Sequence, residues 1–161
     1  MKTNNFSLGN ILLKIPVPWV FILTYLIGLI PHFLLPFKFI TQGNTQAVKI
    51  VGAFLFVIGA LFAAWSLIIF HEAKTTTTPG ESSKKLVMSG PYKFSRNPMY
   101  VSLTMAYLGE AGILVQLWPV LFLPLMLIYL NKVVIPLEEN ILSSDFGEEY
   151  KVYCSKVKRW L

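Results

Sequence analysis

Two long stretches without a formal charge constrain this chain more than any other feature. Residues 17–37 contain no Asp, Glu, Lys or Arg and only His32 as a group that titrates near neutral pH, and residues 50–70 contain no titratable group at all. At 1.5 Å per residue each makes a helix of about 30 Å, the thickness of a bilayer's hydrocarbon core. Composition agrees. Hydrophobic residues make up 55% of the chain and charged ones 14%, and a mean hydropathy of +0.60 lies outside the range usual for a soluble domain. Lipid is the expected solvent.

Two further apolar runs, residues 99–112 and 118–137, complete the expected fold: a single all-α domain, an integral membrane bundle of about four transmembrane helices. A polar, helical, cytoplasmic segment from residue 138 onward is expected to follow it. Asn97 and Pro98 open the third run, Asn being a favoured N-cap and Pro a favoured first helical residue. That run is short, and Glu110 near its end should reach the opposite interface, about 18 Å from Asn97. Pro31 and Pro36 should bend or end the first helix, and Pro119, Pro124 and Pro136 interrupt the fourth. In the second, Gly59 with Ala63 and Ala60 with Ala64 have the four-residue spacing of a close helix–helix seam. The polar tail should break near Gly147, with Tyr150, Tyr153 and Trp160 at the membrane surface.

Lys2 and Lys14 precede the first run as they would in a signal peptide. That run is about 20 residues long and no small-residue cleavage site follows it, so it reads as a retained span. The net charge of +6 does not form a basic face with interleaved stacking aromatics, and no nucleic-acid partner is expected. The basic residues flank apolar runs instead. With four spans, twelve of them (Lys2, Lys14, Lys74, Lys84, Lys85, Lys93, Arg96, Lys132, Lys151, Lys156, Lys158 and Arg159) share one side against Lys38 and Lys49 on the other. Both termini and the polar loop of residues 71–96 are therefore expected to be cytoplasmic. The single cysteine, Cys154, reads as an unpaired thiol, and no Cys/His set suits a metal.

Chemistry is left to two polar clusters, residues 86–100 and the pair Glu138-Glu139. If the third and fourth runs form a hairpin, their cytoplasmic ends meet despite about 40 residues of separation. Gly90 and Pro91 would let backbone approach a ligand there, Tyr92 and Tyr100 would offer ring faces and hydroxyls, and the carboxylates would accept from ammonium or hydroxyl groups. Taken singly, Arg96 also fits a snorkelling interfacial residue, the tyrosines a membrane belt and the glutamates a solvated face.

The clusters together, Leu86-Val-x-x-Gly-Pro-Tyr-(x)3-Arg96-Asn97-Pro98-Met99-Tyr100 followed by Glu138-Glu139 and Phe146-Gly-Glu-Glu-Tyr150, resemble the isoprenylcysteine carboxyl methyltransferase and phospholipid methyltransferase superfamily of integral membrane enzymes. The resemblance covers roughly residues 75–160. It implies S-adenosylmethionine as cofactor, contacted by Leu86, Val87, Gly90, Tyr92, Asn97, Pro98, Met99, Tyr100, Glu138 and Glu139. The superfamily commonly has Arg-His-Pro where this chain has Arg96-Asn97-Pro98, so no histidine base is at hand, since Asn does not titrate. The soluble methyltransferase design, a Gly-rich turn between strand and helix, is absent. In-line methyl transfer asks chiefly for alignment and exclusion of water.

The expected acceptor is amphipathic and lipid-like or lipidated, entering from the bilayer. Arg96, and Lys132 at a place where the superfamily commonly has a basic residue, are candidate catalytic residues that would hold an anionic oxygen, pointing to a carboxylate and a methyl ester product. Phospholipid or other amine methylation is the nearest alternative. A nicotinamide-dependent membrane reductase, or a non-enzymatic protein binding lipid through the small-residue seam, also stays open on the residues alone.

Overall fold

The structure is a computed structural model that describes residues 16–35, 45–73 and 85–161. The expectations that rest on Lys2, Lys14, Pro36, Lys38 and the loop at residues 74–84 lie outside the described residues. Every regular element described is helical: α1 (Val17–Leu34), α2 (Thr45–Glu72), a 3₁₀ turn (Gly90–Lys93), α3 (Pro98–Ile113), α4 (Leu117–Tyr129), a π turn (Leu130–Val134) and α5 (Ile135–Lys156).

Among the described residues, three helices are long and apolar enough to cross a membrane: α1, α2 and the continuous helical run Leu117–Lys156. The expected third span, α3, has only 16 residues, about 24 Å against a hydrocarbon core of about 30 Å. Its length is fixed by Pro98 at its start and by a turn in which Val115 takes a left-handed φ of 53°.

Helix α3 lies along α2, and the contact is made by missing side chains. A Cβ placed on Gly109 would lie 2.5 Å from the Phe56 amide nitrogen, one on Gly52 2.6 Å from the nitrogen of Ile113, and one on Gly59 2.9 Å from the carbonyl oxygen of Ser102. The seam therefore exists and includes Gly59 of the expected pairs, but the pair Ala60 with Ala64 is not part of it. Gly52, Gly59 and Ser66, seven apart, are the buried positions of α2; Ala63 is half-buried, while Ala60 and Ala64 face outward. Two helices crossing at a shallow angle meet every seventh residue, so a heptad of small residues marks the seam better than an i, i+4 pair.

On the other side, α1 packs against α4, with Gly28 against Pro119. The Phe21 and Tyr25 rings stand edge-on to Tyr107 of α3 at centroid distances of 6.2 and 4.9 Å. The Tyr107 hydroxyl donates to the Pro119 carbonyl oxygen at 2.8 Å, and that of Tyr25 to Gln116 Oε1 at 2.7 Å. These bonds tie α1, α3 and α4 together at the end away from Asn97.

Pro31 lies inside α1, whose last turn closes with the Leu35 amide donating to the Pro31 carbonyl. Pro124 lies inside α4. Pro136 has a larger effect, because it has no N–H to give the carbonyl of Lys132 and its ring crowds that oxygen. The helix widens just before it into the π turn, where the Ile135 amide reaches back to the Leu130 carbonyl. The polar part of α5 breaks at Gly147 (φ 49°, ψ −117°), as its sequence led one to expect.

Candidate functional site

The polar residues converge where the start of α3 meets the start of α5. The Tyr100 hydroxyl donates to Glu138 Oε1 at 2.6 Å, so the expected meeting of hairpin ends is present. Apolar residues end at Leu137, and Glu138 stands just beyond them. Burial pushes its carboxyl up to about 7; the Tyr100 hydrogen bond works against this and the neighbouring Glu139 with it. Tyr92, in the 3₁₀ turn, is buried too, and its hydroxyl is held above its ordinary value by burial first, then by Tyr153 and by the charge of Glu138. One carboxylate thus faces two tyrosines from different elements.

Glu139 is placed quite differently. Its Oε1 lies 3.1 Å from Arg96 Nη2, and the Arg159 guanidinium takes both of its oxygens, Nε to Oε1 at 3.1 Å and Nη2 to Oε2 at 2.5 Å. Arg159 also donates through Nη1 to Asn131 Oδ1 at 3.0 Å, and the indole N–H of Trp160 reaches the same oxygen at 3.4 Å. The two adjacent glutamates therefore part company: Glu138 answers to hydroxyls, Glu139 to two guanidinium groups.

The segment following α5 lies against the loop before α3. The Arg96 amide donates to the Lys158 carbonyl at 2.9 Å. The Asn97 side-chain amide donates to the Arg159 carbonyl at 2.9 Å, and the Ser95 hydroxyl to the same oxygen at 3.3 Å. Asn97 does occupy the N-cap, but its side chain makes no capping bond; its amide is spent on the tail instead. Tyr150 and Tyr153 are buried and Trp160 is half-buried. Tyr150 and Tyr153 are buried with Leu86, and Trp160 packs against the main core. The Tyr153 hydroxyl donates to the Tyr92 carbonyl at 2.7 Å.

Of the remaining expected residues, Leu86, Val87 and Pro98 are buried and Met99 is half-buried. Gly90 has a φ of +59°, and a Cβ there would meet Ile69 Cγ1 at 2.9 Å and the Trp65 indole nitrogen at 3.2 Å, so its close approach is to α2. Lys132 is exposed on the π turn; its neighbour Asn131, not Lys132, reaches Arg159. Arg96 pairs with Glu139, while Lys132 makes no hydrogen bond or ion pair among the described residues. Arg159, Asn131 and Trp160 were not singled out as site residues in the sequence. Their only sequence signal was a basic and aromatic pair after a polar helix, which reads equally as membrane anchoring.

One atom stands out. Arg96 Nε is buried and finds no hydrogen-bond partner among the described residues, although buried guanidinium N–H groups are costly to leave unpaired.

Among the described residues the chain is an apolar helical bundle, with three helices long enough to cross a membrane and a polar cluster where α3 meets α5. The phospholipid methyltransferase family model matches residues 47–149, well over half of the chain, and the chain belongs to that family. The protein is accordingly an integral membrane protein of a methyltransferase family whose members generally use S-adenosylmethionine. The matched residues include the seam, the 3₁₀ turn and both glutamates, and stop short of Arg159. No curated protein and no solved structure matches the chain.

Proposed function

We propose that this chain transfers the methyl group of S-adenosylmethionine to an amphipathic acceptor held in the membrane, at the polar end formed by α3, α5 and the 3₁₀ turn. The observation that carries this reading is the pairing of Glu138, a half-buried carboxylate bonded among the described residues by a tyrosine hydroxyl alone, with the unpartnered Nε of Arg96. Glu138 would hold the cofactor's ammonium and Arg96 an anionic oxygen. The donor set fits the group. Bound there, S-adenosylmethionine would supply an electrophilic methyl on a sulfonium.

By the family resemblance, Leu86, Val87 and Gly90 would lay backbone along the cofactor. Tyr92, Tyr100 and the Asn97, Pro98 and Met99 turn would close around it, with Glu139 beside them. The chain's own contribution is orientation and dryness: buried tyrosines keep water from Glu138, and the seam fixes where α3 begins. The asymmetry of basic residues supports placing this end, and both termini, on the cytoplasmic side.

The acceptor is read as a carboxylate, giving a methyl ester, because Arg96 and Lys132 are cations at this end of the bundle whose field favours an anionic acceptor, while the Arg96 Nε–H itself faces the cofactor. A second reading, methylation of a phospholipid or other amine, is favoured by the Arg96–Glu139 ion pair at 3.1 Å and by the exposure of Lys132, which leave less positive charge to repel an amine. Membranes containing the protein, incubated with methyl-labelled cofactor and then treated with mild alkali, separate the two. Labelled methanol is expected for the ester. Base-stable label that requires the protein would overturn the carboxylate and establish the amine.

A further inference from the structure

Glu139 has two guanidinium suitors, and their geometry is unequal. Arg159 takes it in a two-bond fork, while Arg96 reaches it with Nη2 alone and leaves Nε buried and unpaired. A fork is the favoured arrangement for an arginine and a carboxylate. Without Arg159, nothing would oppose rotation of Glu139 onto Arg96, where the same fork would use both Nη2 and the unpaired Nε. Arg159 is itself well held, through Nη1 to Asn131 Oδ1 and through its own carbonyl, which receives Asn97 Nδ2 and the Ser95 hydroxyl.

We infer that Arg159 is a positioning residue: by occupying Glu139 it keeps the Arg96 Nε–H free for the carboxylate of the cofactor's amino-acid end. The assignment to that carboxylate follows from adjacency. Arg96 pairs with Glu139, and Tyr100, four residues after Arg96, bonds Glu138, so both groups belong to one cluster, and a carboxylate acceptor together with a guanidinium donor is the complement of an α-amino acid zwitterion. The inference rests on the cofactor reading above but turns on Arg159, which lies outside the family match.

The test compares binding of S-adenosylmethionine with that of its decarboxylated analogue, which keeps the ammonium and the sulfonium. The wild-type protein in detergent is expected to prefer the intact cofactor at least tenfold. In Arg159→Gln that preference should shrink to less than threefold, with the analogue's own affinity little changed. Adding Glu139→Gln should restore it at least fivefold, because Arg96 is then released. A purely structural role predicts that the double variant is no better than the single one and that both ligands weaken together.

If Arg159→Gln does not fold, Arg159→Lys carries the same test, since an ammonium cannot form the fork and the preference should fall at least threefold. A wild-type preference that persists in the Arg159 variant, or a double variant without recovery, overturns the inference alone. Wild-type protein that binds neither ligand overturns the cofactor reading, and this inference with it.

Discussion

Along the α2–α3 seam, two helices meet backbone to backbone because Gly52, Gly59, Gly109 and Gly112 leave no side chain between them. At the polar end, α3 and α5 are joined by long side chains: Tyr100 to Glu138, Arg96 and Arg159 to Glu139. The seam spends nothing on desolvating polar groups, and its buried hydroxyls are satisfied within their own helices, Ser66 to the Phe62 carbonyl and Ser102 to that of Met99. The polar end half-buries a carboxylate and leaves a guanidinium nitrogen unpaired. The difference separates tasks: the seam sets where α3 lies, and the polar end holds the groups on which the proposed function rests.

The largest effect is therefore expected at the seam and should be on folding. Gly109→Leu would drive a side chain into the backbone of Phe56, where even a Cβ lies 2.5 Å from nitrogen and 2.7 Å from Cα. Overpacking against backbone costs about 3 kcal/mol, and the yield of monodisperse protein in detergent should collapse. Ala60→Leu, on the outward face of the same helix, should leave it unchanged. Equal yields for the two would break the assignment of the seam.

The middle effect belongs to the polar end and should be on binding. Glu138→Gln is expected to weaken S-adenosylmethionine at least tenfold, about 1.4 kcal/mol, with little change in thermal midpoint. A carboxyl raised to about 7 by burial must lose its proton before it can hold an ammonium. Affinity should thus rise as the pH climbs through about 7 and fall steeply toward pH 6, while the cofactor's amine stays mostly protonated through that range. In Glu138→Gln the slope should vanish. Isothermal titration at several pH values reads both, and a wild-type affinity flat between pH 6 and 7.5 would remove Glu138 from the site.

How much of this could be read in advance also divides along the same line. The helices follow from apolar run length, the α3 entrance from Asn97-Pro98 and the α5 break from Gly147. Each is a local signal whose cause lies within a few residues. The seam was half legible: small residues announced it, but a four-residue rule cannot say which face is turned inward, and Ala60 and Ala64 point outward. The Arg159 fork was not legible. It joins residues 20 apart to a loop more than 60 residues away, and a charged residue beside a tryptophan carries no mark that separates a membrane anchor from a buried strap. The cap was misjudged for a related reason, since Asn97 had a distant carbonyl to satisfy as well as its own helix.

The smallest effect tests how tightly the two regions are coupled. Tyr153 sits in the buried cluster with Leu86 and Tyr150, and its hydroxyl donates to the Tyr92 carbonyl at 2.7 Å. Tyr153→Phe keeps the ring and removes the donor, leaving a buried carbonyl short of a partner at a cost of about 1 kcal/mol. The Tyr92 ring has a second support, since it lies 5.1 Å from the ring of Phe70 on α2, and α2 is fixed by the seam. Thermal stability should therefore drop slightly while S-adenosylmethionine affinity changes less than threefold. A tenfold loss of affinity at unchanged stability would reverse that order of dependence: the tail, and not α2, would then be what holds Tyr92 in front of Glu138.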